Sequence, residues 1–327
     1  MSVKKITVVG GGHVGATCSQ LLAMKELARE VVLVDILEGV PMGKGLDQWE
    51  SAPIDRFDSR VAGTNSYDDA ADSDIFIVTA GVARKPGMSR DDLLKTNAGI
   101  VKSVSEEIKR VAPNSIVIMV SNPLDVMAQV ALETTGFPRE RVIGMAGVLD
   151  SARYRSFIAL ELDVSVEDIQ ALVLGGHGDT MVPLPRYSAV AGIPIPDLVK
   201  MGWTTQKKIN DIIKRTRSGG GEIVALLKSG SAYYAPASAA ISMAESYLKD
   251  QKRVLPCAAH LTGQFGIKDL YVGVPVVIGE GGVERVVEIN MNAAEKKQFN
   301  SSVDAVKGLL DACRKIDPSL GKGKKGK

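Results

Sequence analysis

The sequence predicts an α/β protein whose first half forms a doubly wound parallel sheet. Apolar, β-branched runs such as residues 6–9 and 31–34 alternate with segments of helical periodicity. The runs are continuously apolar and do not alternate with polar residues, as is typical of strands covered on both faces. Right-handed crossovers then bring the carboxyl ends of the strands to one edge of the sheet, where ligands bind in such folds.

The elements of the first half follow from these patterns in order. The expected strands are residues 6–9, 31–34, 75–78, 116–120 and 141–144. The expected helices are residues 13–27, 41–51, 89–112 and 124–135. Ser89, followed three residues later by Asp92, is a capping-box pattern that begins the third of these helices.

The second half predicts an α+β domain. We expect a strand at 169–174, helices at 205–228, 236–249 and 293–314, and an antiparallel pair of strands at 271–278 and 283–289. The glycines of Ser218-Gly-Gly-Gly221 predict an interruption of the helix at 205–228. The expected domains are residues 1–147 and 148–316, and residues 317–327 form a basic tail. The tail is expected to be disordered and solubilising; weak binding to an anionic surface is the alternative.

Composition excludes several classes of protein. The chain of 327 residues is 45% apolar and 24% charged, as in ordinary soluble globular proteins. Its net charge of +2 gives no reason to expect a nucleic-acid partner, and no apolar stretch is long enough to predict a membrane span. Three scattered cysteines favour a reducing, cytoplasmic environment without disulfides. The absence of a CxxC pair or a His/Cys cluster predicts no metal site.

The stretch VVGGGHVGA joins the first strand to the first helix and carries the spacing Gly10-x-Gly12-x-x-Gly15. In this context it predicts a Rossmann dinucleotide site, with the pyrophosphate at the amino end of the helix. Asp35 ends the second strand, where an acid binds the ribose 2′-hydroxyl and favours NAD over NADP. The alternatives are a glycine turn without ligand, or a methyltransferase. The predicted cofactor contacts in the loop are Gly10, Gly11, Gly12, His13, Val14 and Gly15.

Two arginines follow the strand at 75–78, in the stretch ARKPGMSRDDLL. Arg90 falls in the first turn of a helix, where a cation opposes the helix dipole. Arg84 lies in a Pro/Gly segment at the ligand-binding edge of the sheet. Arginine recognises carboxylates through paired hydrogen bonds, so a bound anion would explain both positions. Two solvated loop arginines are the alternative.

Four further polar residues follow expected strands or begin helices. Asn122 ends a strand before Pro123, as a turn residue or a donor to a substrate oxygen. Asp150 and Arg153 are spaced to share one helix face, as an ordinary ion pair or as a histidine partner and a carboxylate clamp. His177 lies between glycines in LGGHGDT, as a turn residue or as a general acid–base. Together these types suit hydride transfer between NAD and a 2-hydroxy or 2-keto acid.

These motifs resemble the lactate/malate dehydrogenase family, and most closely its lactate-dehydrogenase-like malate dehydrogenase branch. The resemblance runs from about residue 3 to residue 314. It rests on six motifs in family order: VVGGGHVGA, ARKPGMSRDDLL, VSNPLDV, GVLDSARYR, LGGHGDTMVPL and SGSAYYAPASA. It implies an NAD-dependent oxidation of (S)-malate to oxaloacetate, and assembly as a homotetramer or homodimer.

The resemblance also implies roles for individual residues. His177 would carry the proton with Asp150 as its partner, and Arg153 would bind the C1 carboxylate. Arg90 would polarise the carbonyl, and Asn122 would orient the substrate beside the nicotinamide. Two further positions, Asn97 and Val120, match cofactor contacts of the family.

Arg84 separates the substrate classes, because lactate dehydrogenases usually carry glutamine at the matching position. An arginine can pair with the second carboxylate of a dicarboxylate, whereas with pyruvate it would stay unpaired in a closed site. The alternatives are a lactate dehydrogenase, a broader 2-hydroxy-acid dehydrogenase, and a non-catalytic NAD-binding sensor.

Overall fold

A parallel sheet forms the centre of the first half in the computed structural model, which describes residues 5–82 and 89–321. Its strands are β1 (Lys5–Val9), β2 (Glu30–Val34), β3 (Arg60–Thr64), β4 (Ile75–Val78), β5 (Ile116–Met119) and β6 (Val142–Gly144). Their spatial order is β3-β2-β1-β4-β5-β6, and all five pairings are parallel. The strand order reverses between β1 and β4, which is where an open α/β sheet forms its ligand crevice. The predicted doubly wound sheet is confirmed.

Four helices cover this sheet. They are α1 (His13–Met24), α2 (Val40–Asp55), α3 (Arg90–Val111) and α4 (Leu124–Thr135). The predicted capping box of α3 is present: the Ser89 hydroxyl accepts from the Asp92 amide at 3.0 Å, and the Asp92 carboxylate accepts from the Ser89 amide at 3.2 Å. Helix α4 ends at Gly136, which takes the left-handed conformation (φ +66°) common at helix ends.

The second half extends the same sheet with antiparallel strands. These are β12 (Arg253–Thr262), β13 (Lys268–Gly279) and β14 (Gly282–Val286). Strand β12 pairs with β6 through Ala258 opposite Gly144, so that the described residues form one nine-stranded sheet across both halves. The expected antiparallel pair corresponds to β13 and β14.

Helices and small sheets build the rest of the second half. The helices are α5 (Gly147–Leu162), α6 (Ile195–Lys200), α7 (Gln206–Leu227), α8 (Tyr234–Leu248) and α9 (Ala293–Ile316). The short strands are β7 (Ile169–Gln170), β8 (Val173–Leu174), β9 (Val182–Pro183), β10 (Ala189–Val190) and β11 (Ile193–Pro194). The single strand expected at 169–174 is therefore two short strands, because β7 pairs with β10 and β8 pairs with β9.

The expected interruption of the helix at 205–228 is wrong, since α7 is continuous through its glycines. A Cβ on Gly219 would lie 3.2 Å from Cδ of Arg153 and 3.8 Å from Cε2 of Phe157, both on α5. The glycines therefore permit close packing of two helices, and that packing offsets their low helix propensity.

Residues 317–321, the first part of the expected carboxyl-terminal tail, are not disordered. Asp317 pairs with Lys102 of α3 at 2.8 Å, and the Gly321 amide donates to Glu133 of α4 at 2.6 Å. Leu320 is 6% exposed and joins the hydrophobic core. Residues 317–321 thus pack on the body of the protein, while the lysines at 322–327 lie outside the described residues.

The described residues contain neither a membrane-spanning helix nor a metal-binding cluster, and their cysteines are unpaired. No helix within residues 5–82 and 89–321 is long and apolar enough to cross a membrane. Within the same residues, no group of three or more His, Cys, Asp or Glu side chains could hold a metal ion. The three cysteines are all buried and free.

Candidate active site

The loop between β1 and α1 exposes its main chain to the ligand crevice, because its glycines carry no side chains. Gly10 has φ +107°, and a Cβ there would lie 2.6 Å from Oγ1 of Thr79. A Cβ on Gly15 would lie 1.8 Å from the Gly10 carbonyl oxygen, so only glycine lets α1 pack this closely on the loop. Gly12, the N-cap of α1, has no atom within 4 Å of its Cβ position. This open cradle at a helix amino end fits a pyrophosphate.

The side chain of Asp35 organises the acidic end of this crevice. One carboxylate oxygen accepts a short hydrogen bond from the Gly11 amide, and the other accepts from the Leu37 amide at 2.8 Å. Lys44 of α2 donates to the Gly11 carbonyl oxygen at 2.6 Å. The acid therefore lies next to the phosphate loop, as a ribose-binding carboxylate must.

The loop residue His13 links the two halves of the molecule. His13 begins α1, and its exposed ring stacks on Tyr233, the N-cap of α8, with ring centroids 5.0 Å apart. Its neighbour Val14 is half-buried. The predicted contacts of both residues with cofactor stay predictions.

Val120 and Asn122 follow the end of β5, and the side chain of Asn97, from α3, reaches the segments after β4 and β5. Asn97 is 2% exposed: it donates to the carbonyl oxygens of Val82 (3.2 Å) and Asn122 (2.7 Å) and accepts from the Val82 amide. Its amide group therefore ties two loops together at the crevice. Val120 is buried, whereas Asn122 is exposed and its peptide bond to Pro123 is cis.

The structure describes only one of the two predicted loop arginines, and of that residue only the main chain. Arg84 lies within residues 83–88, outside the described residues. The main chain of Arg90 is described, and it is the first residue of α3, directly after the Ser89 cap. The predicted position of Arg90 in the first helical turn is therefore confirmed, and its side-chain role stays a prediction.

His177 and Asp150 form a buried pair. Nδ1 of His177 lies 2.9 Å from Oδ2 of Asp150, and the two side chains are 14% and 2% exposed. The carboxylate accepts from Nδ1–H, which leaves Nε2 directed away from the pair for a proton transfer. Burial opposes protonation of His177, but the charge and hydrogen bond of Asp150 outweigh it and raise the pKa of His177 above its ordinary value. The histidine is thus a competent acid near neutral pH.

The loop that carries His177 is fixed by close packing. A Cβ on Gly175 (φ +87°) would lie 2.6 Å from Oγ of Ser302, and one on Gly176 would lie 2.4 Å from Cγ2 of Val306, both on α9. The Gly176 amide donates to the Ser302 hydroxyl at 2.9 Å. Glycine is required here because α9 fills the space, and this packing holds the imidazole in place.

Arg153 lies one helical turn beyond Asp150 on α5. Its Nη1 is 3.5 Å from Oδ1 of Asp150, and its side chain is 13% exposed. Its Nε is buried without a hydrogen-bond partner among the described residues. Burial lowers the pKa of Arg153, but a guanidinium stays charged at any physiological pH. A largely desolvated cation with a free donor beside His177 fits a carboxylate ligand.

Two residues that the sequence did not single out support His177. Ser302 anchors the preceding amide, as described, and Asp125 of α4 accepts from the His177 amide at 2.9 Å. No sequence pattern marks Ser302 as a site residue, because a serine within a helix is common. Asp125 lies in VSNPLDV, where a first-turn acid is explained by the helix dipole alone.

Both halves of the chain are similar to one known family of proteins. The NAD binding domain of lactate/malate dehydrogenases matches residues 4–144, and the alpha/beta C-terminal domain of the same family matches residues 147–315. A malate dehydrogenase of Roseobacter denitrificans is 63% identical over 320 residues, which are 98% of this chain and 100% of that protein.

The fold is similar to those of solved malate and lactate dehydrogenases. The malate dehydrogenase of Cryptosporidium parvum is 47% identical, with a TM-score of 0.93, and the match covers 96% of this chain and 100% of that one. A lactate dehydrogenase of the same organism, complexed with lactic acid and nicotinamide adenine dinucleotide, is 42% identical with a TM-score of 0.92. That match covers 96% of this chain and 98% of the other.

The fold, the glycine loop and the histidine–aspartate pair define an NAD-dependent oxidoreductase. More narrowly, the chain belongs to the lactate/malate dehydrogenase family.

Proposed function

We propose that this protein is an NAD-dependent malate dehydrogenase, which oxidises (S)-malate reversibly to oxaloacetate, with His177 as the acid–base. The observation that carries the proposal is the buried group of His177, Asp150 and Arg153. It offers a proton acceptor and a carboxylate clamp side by side, next to a dinucleotide crevice. The 63% identity to a malate dehydrogenase supports the choice of substrate.

The residues of the chain have distinct tasks in this reaction. Arg153 binds the C1 carboxylate of malate and so places the C2 hydroxyl beside Nε2 of His177. His177 takes the hydroxyl proton, and Asp150 stabilises the imidazolium that forms. When bound, NAD supplies the acceptor for the hydride that leaves C2. In the reverse direction, the imidazolium returns its proton to the oxygen on C2.

Several assignments in this proposal rest on the sequence. Arg90 would stabilise the oxygen on C2, and Arg84 would pair with the second carboxylate of the substrate. Asn122 would orient the substrate near the nicotinamide. The cofactor contacts would come from the glycine loop, Gly10 to Gly15, and from Asp35, Asn97 and Val120.

The decisive experiment compares NADH oxidation with oxaloacetate and with pyruvate, for the natural protein and for Arg84→Gln. We expect a strong preference of the natural protein for oxaloacetate. Arg84→Gln should lower kcat/KM for oxaloacetate by about 100-fold or more and raise relative activity with pyruvate. Lys85→Gln is the matched control, because it removes a neighbouring charge and should leave the preference unchanged. An unchanged ratio in Arg84→Gln would contradict the dicarboxylate assignment.

Three finer statements complete the proposal. The protein acts in the cytoplasm, in the tricarboxylic acid cycle, and it assembles as a homodimer or homotetramer. Free buried cysteines support a reducing compartment. Exposed apolar side chains on α2, among them Leu46 (59% exposed) and Trp49 (39%), support self-association. Light scattering at several protein concentrations distinguishes monomer, dimer and tetramer.

The proposed partner is a small dicarboxylate, with no nucleic acid or membrane.

A further inference from the structure

Asp125 is a buried carboxylate that the proposed mechanism does not use. It is the second residue of α4, directly after the Asn122-Pro123 turn, and it is 5% exposed. Its Oδ2 accepts from the His177 amide at 2.9 Å, and its Oδ1 is buried without a hydrogen-bond partner among the described residues. A half-satisfied buried carboxylate costs free energy, so stability alone does not explain it.

The position of Asp125 relative to His177 suggests what it does. His177 lies between two carboxylates: Asp150 of α5 holds the ring, and Asp125 of α4 holds the main chain. The charge of Asp125 favours the protonated imidazole, as does that of Asp150, whereas the charge of Arg153 on α5 opposes it. Among the described side chains, Asp150, Asp125 and Arg153 are the charged groups with the largest effects on the pKa of His177.

We propose that Asp125 is a positioning residue of the catalytic site, which anchors the His177 loop through its amide and stabilises the protonated imidazole through its charge. The proposal rests on the proposed role of His177 as the proton carrier. It adds a second acid to the site and gives that acid a task that Asp150 cannot perform, because Asp150 is occupied with the ring.

The ionisation of Asp125 makes the arrangement sensitive to pH. Burial raises the pKa of Asp125 to about 6, while its hydrogen bond and proximity to His177 act in the opposite direction. At pH 7 the carboxylate is then mostly ionised. Below pH 6 it gains a proton, and His177 loses one of the two negative charges that favour its protonated form.

The test uses Asp125→Asn in the full-length protein. Asparagine keeps an oxygen that accepts from the His177 amide, and it removes the charge. Reduction of oxaloacetate needs protonated His177, so kcat/KM falls as the pH rises through the pKa of His177. We expect Asp125→Asn to lower the midpoint of that fall by about 0.5 pH unit or more. An unmoved midpoint would overturn the electrostatic part of the proposal.

Two further variants separate anchoring from charge. Asp125→Ala removes both, so it should show the same shift of midpoint and, in addition, a kcat about tenfold below that of Asp125→Asn. Equal kcat values would overturn the anchoring part. Ser302→Ala is the matched control, because it removes a neutral anchor from the adjacent Gly176 amide. It should leave the midpoint where it is.

A direct titration makes the result independent of activity. The chain has only three histidines, so the NMR signal of His177 can be assigned with His177→Asn. The pKa of His177 in Asp125→Asn should again be lower by about 0.5 unit or more. If Asp125→Ala does not fold, Asp125→Asn and the titration still decide the electrostatic part. Asp125→Leu, which also lacks the acceptor but fills the space of the side chain, then decides the anchoring part. Solvent exchange of its amide at 177 as slow as in Asp125→Asn would overturn that part.

The proposal and the proposed function can fail separately. If His177→Asn retained turnover, His177 would not be the proton carrier, and a shifted NMR titration would still establish the link to Asp125. If His177→Asn were inactive and neither midpoint nor titration moved in Asp125→Asn, the proposed function would stand and Asp125 would have no electrostatic role.

Discussion

The molecule has two glycine-rich loops at its candidate active site: the phosphate loop between β1 and α1, and the loop that carries His177. Glycine is needed in the two loops for opposite reasons. In the phosphate loop, Gly12 has open space where its side chain would be. In the His177 loop, the equivalent space at Gly176 is filled by Val306 of α9. The first loop leaves room for a ligand to approach the main chain, whereas the second packs closely on α9, which fixes the main chain next to His177.

The difference separates binding from chemistry. A loop that offers main-chain amides to a pyrophosphate should affect the affinity for cofactor when it is changed. A loop that fixes one imidazole should affect the chemical step, because a small displacement of a proton carrier is costly. Variants of the phosphate loop should therefore change KM for NAD, and variants of the His177 loop should change kcat.

The largest effect is expected for His177→Asn. Loss of the proton carrier should lower kcat for oxaloacetate reduction by about 1,000-fold or more. The affinity for NADH, measured by fluorescence titration, should stay within about twofold, because the phosphate loop is untouched. A parallel loss of NADH affinity would show that the two loops are not separate.

A matched pair of alanines gives the next effect. Gly176→Ala places a Cβ 2.4 Å from Cγ2 of Val306, so the loop must shift and kcat should fall about 10- to 100-fold. Gly12→Ala meets no neighbouring atom, so its thermal stability should match that of the natural protein, while KM for NAD rises about tenfold. Steady-state kinetics and thermal melts on both variants check this, and the same kinetic change in both would contradict it.

The smallest effect is expected for Asp35→Ser. The change removes the acceptor of the Gly11 amide and the carboxylate that favours an unphosphorylated ribose. We expect kcat/KM for NAD to fall about tenfold and that for NADP to rise, while kcat at saturating cofactor stays nearly constant. A fall in kcat with unchanged cofactor preference would place Asp35 outside the ribose site.

The sequence was sufficient for the elements with strong local signals. The parallel strands are continuous apolar runs, α3 begins at its predicted capping box, and the glycine spacing lies between β1 and α1 as expected. The pairing of His177 with Asp150 was expected from the resemblance to the lactate/malate dehydrogenase family, because the residues alone left a turn histidine and an ordinary ion pair open, and the structure brings the two side chains together.

The remaining features depend on contacts between distant segments. Strand β12 was missed because it contains Pro256 and small residues, which normally argue against a strand; Pro256 is tolerated opposite Pro275 of β13. The glycines of α7 are explained by close packing on Arg153 of α5. The proposed role of Asp125 depends on its contact with the His177 loop, 52 residues later in the chain. No local pattern encodes such partners.

The junction of β6 and β12 has a consequence for biosynthesis. A ribosome completes β6 more than 100 residues before it makes β12, so the nascent chain presents an unpaired strand edge for several seconds. Exposed edges recruit other strands, which is a common route to aggregation. We expect the emerging first half to need shielding until residues 253–262 arrive, and the order of translation thereby becomes part of how this fold is reached.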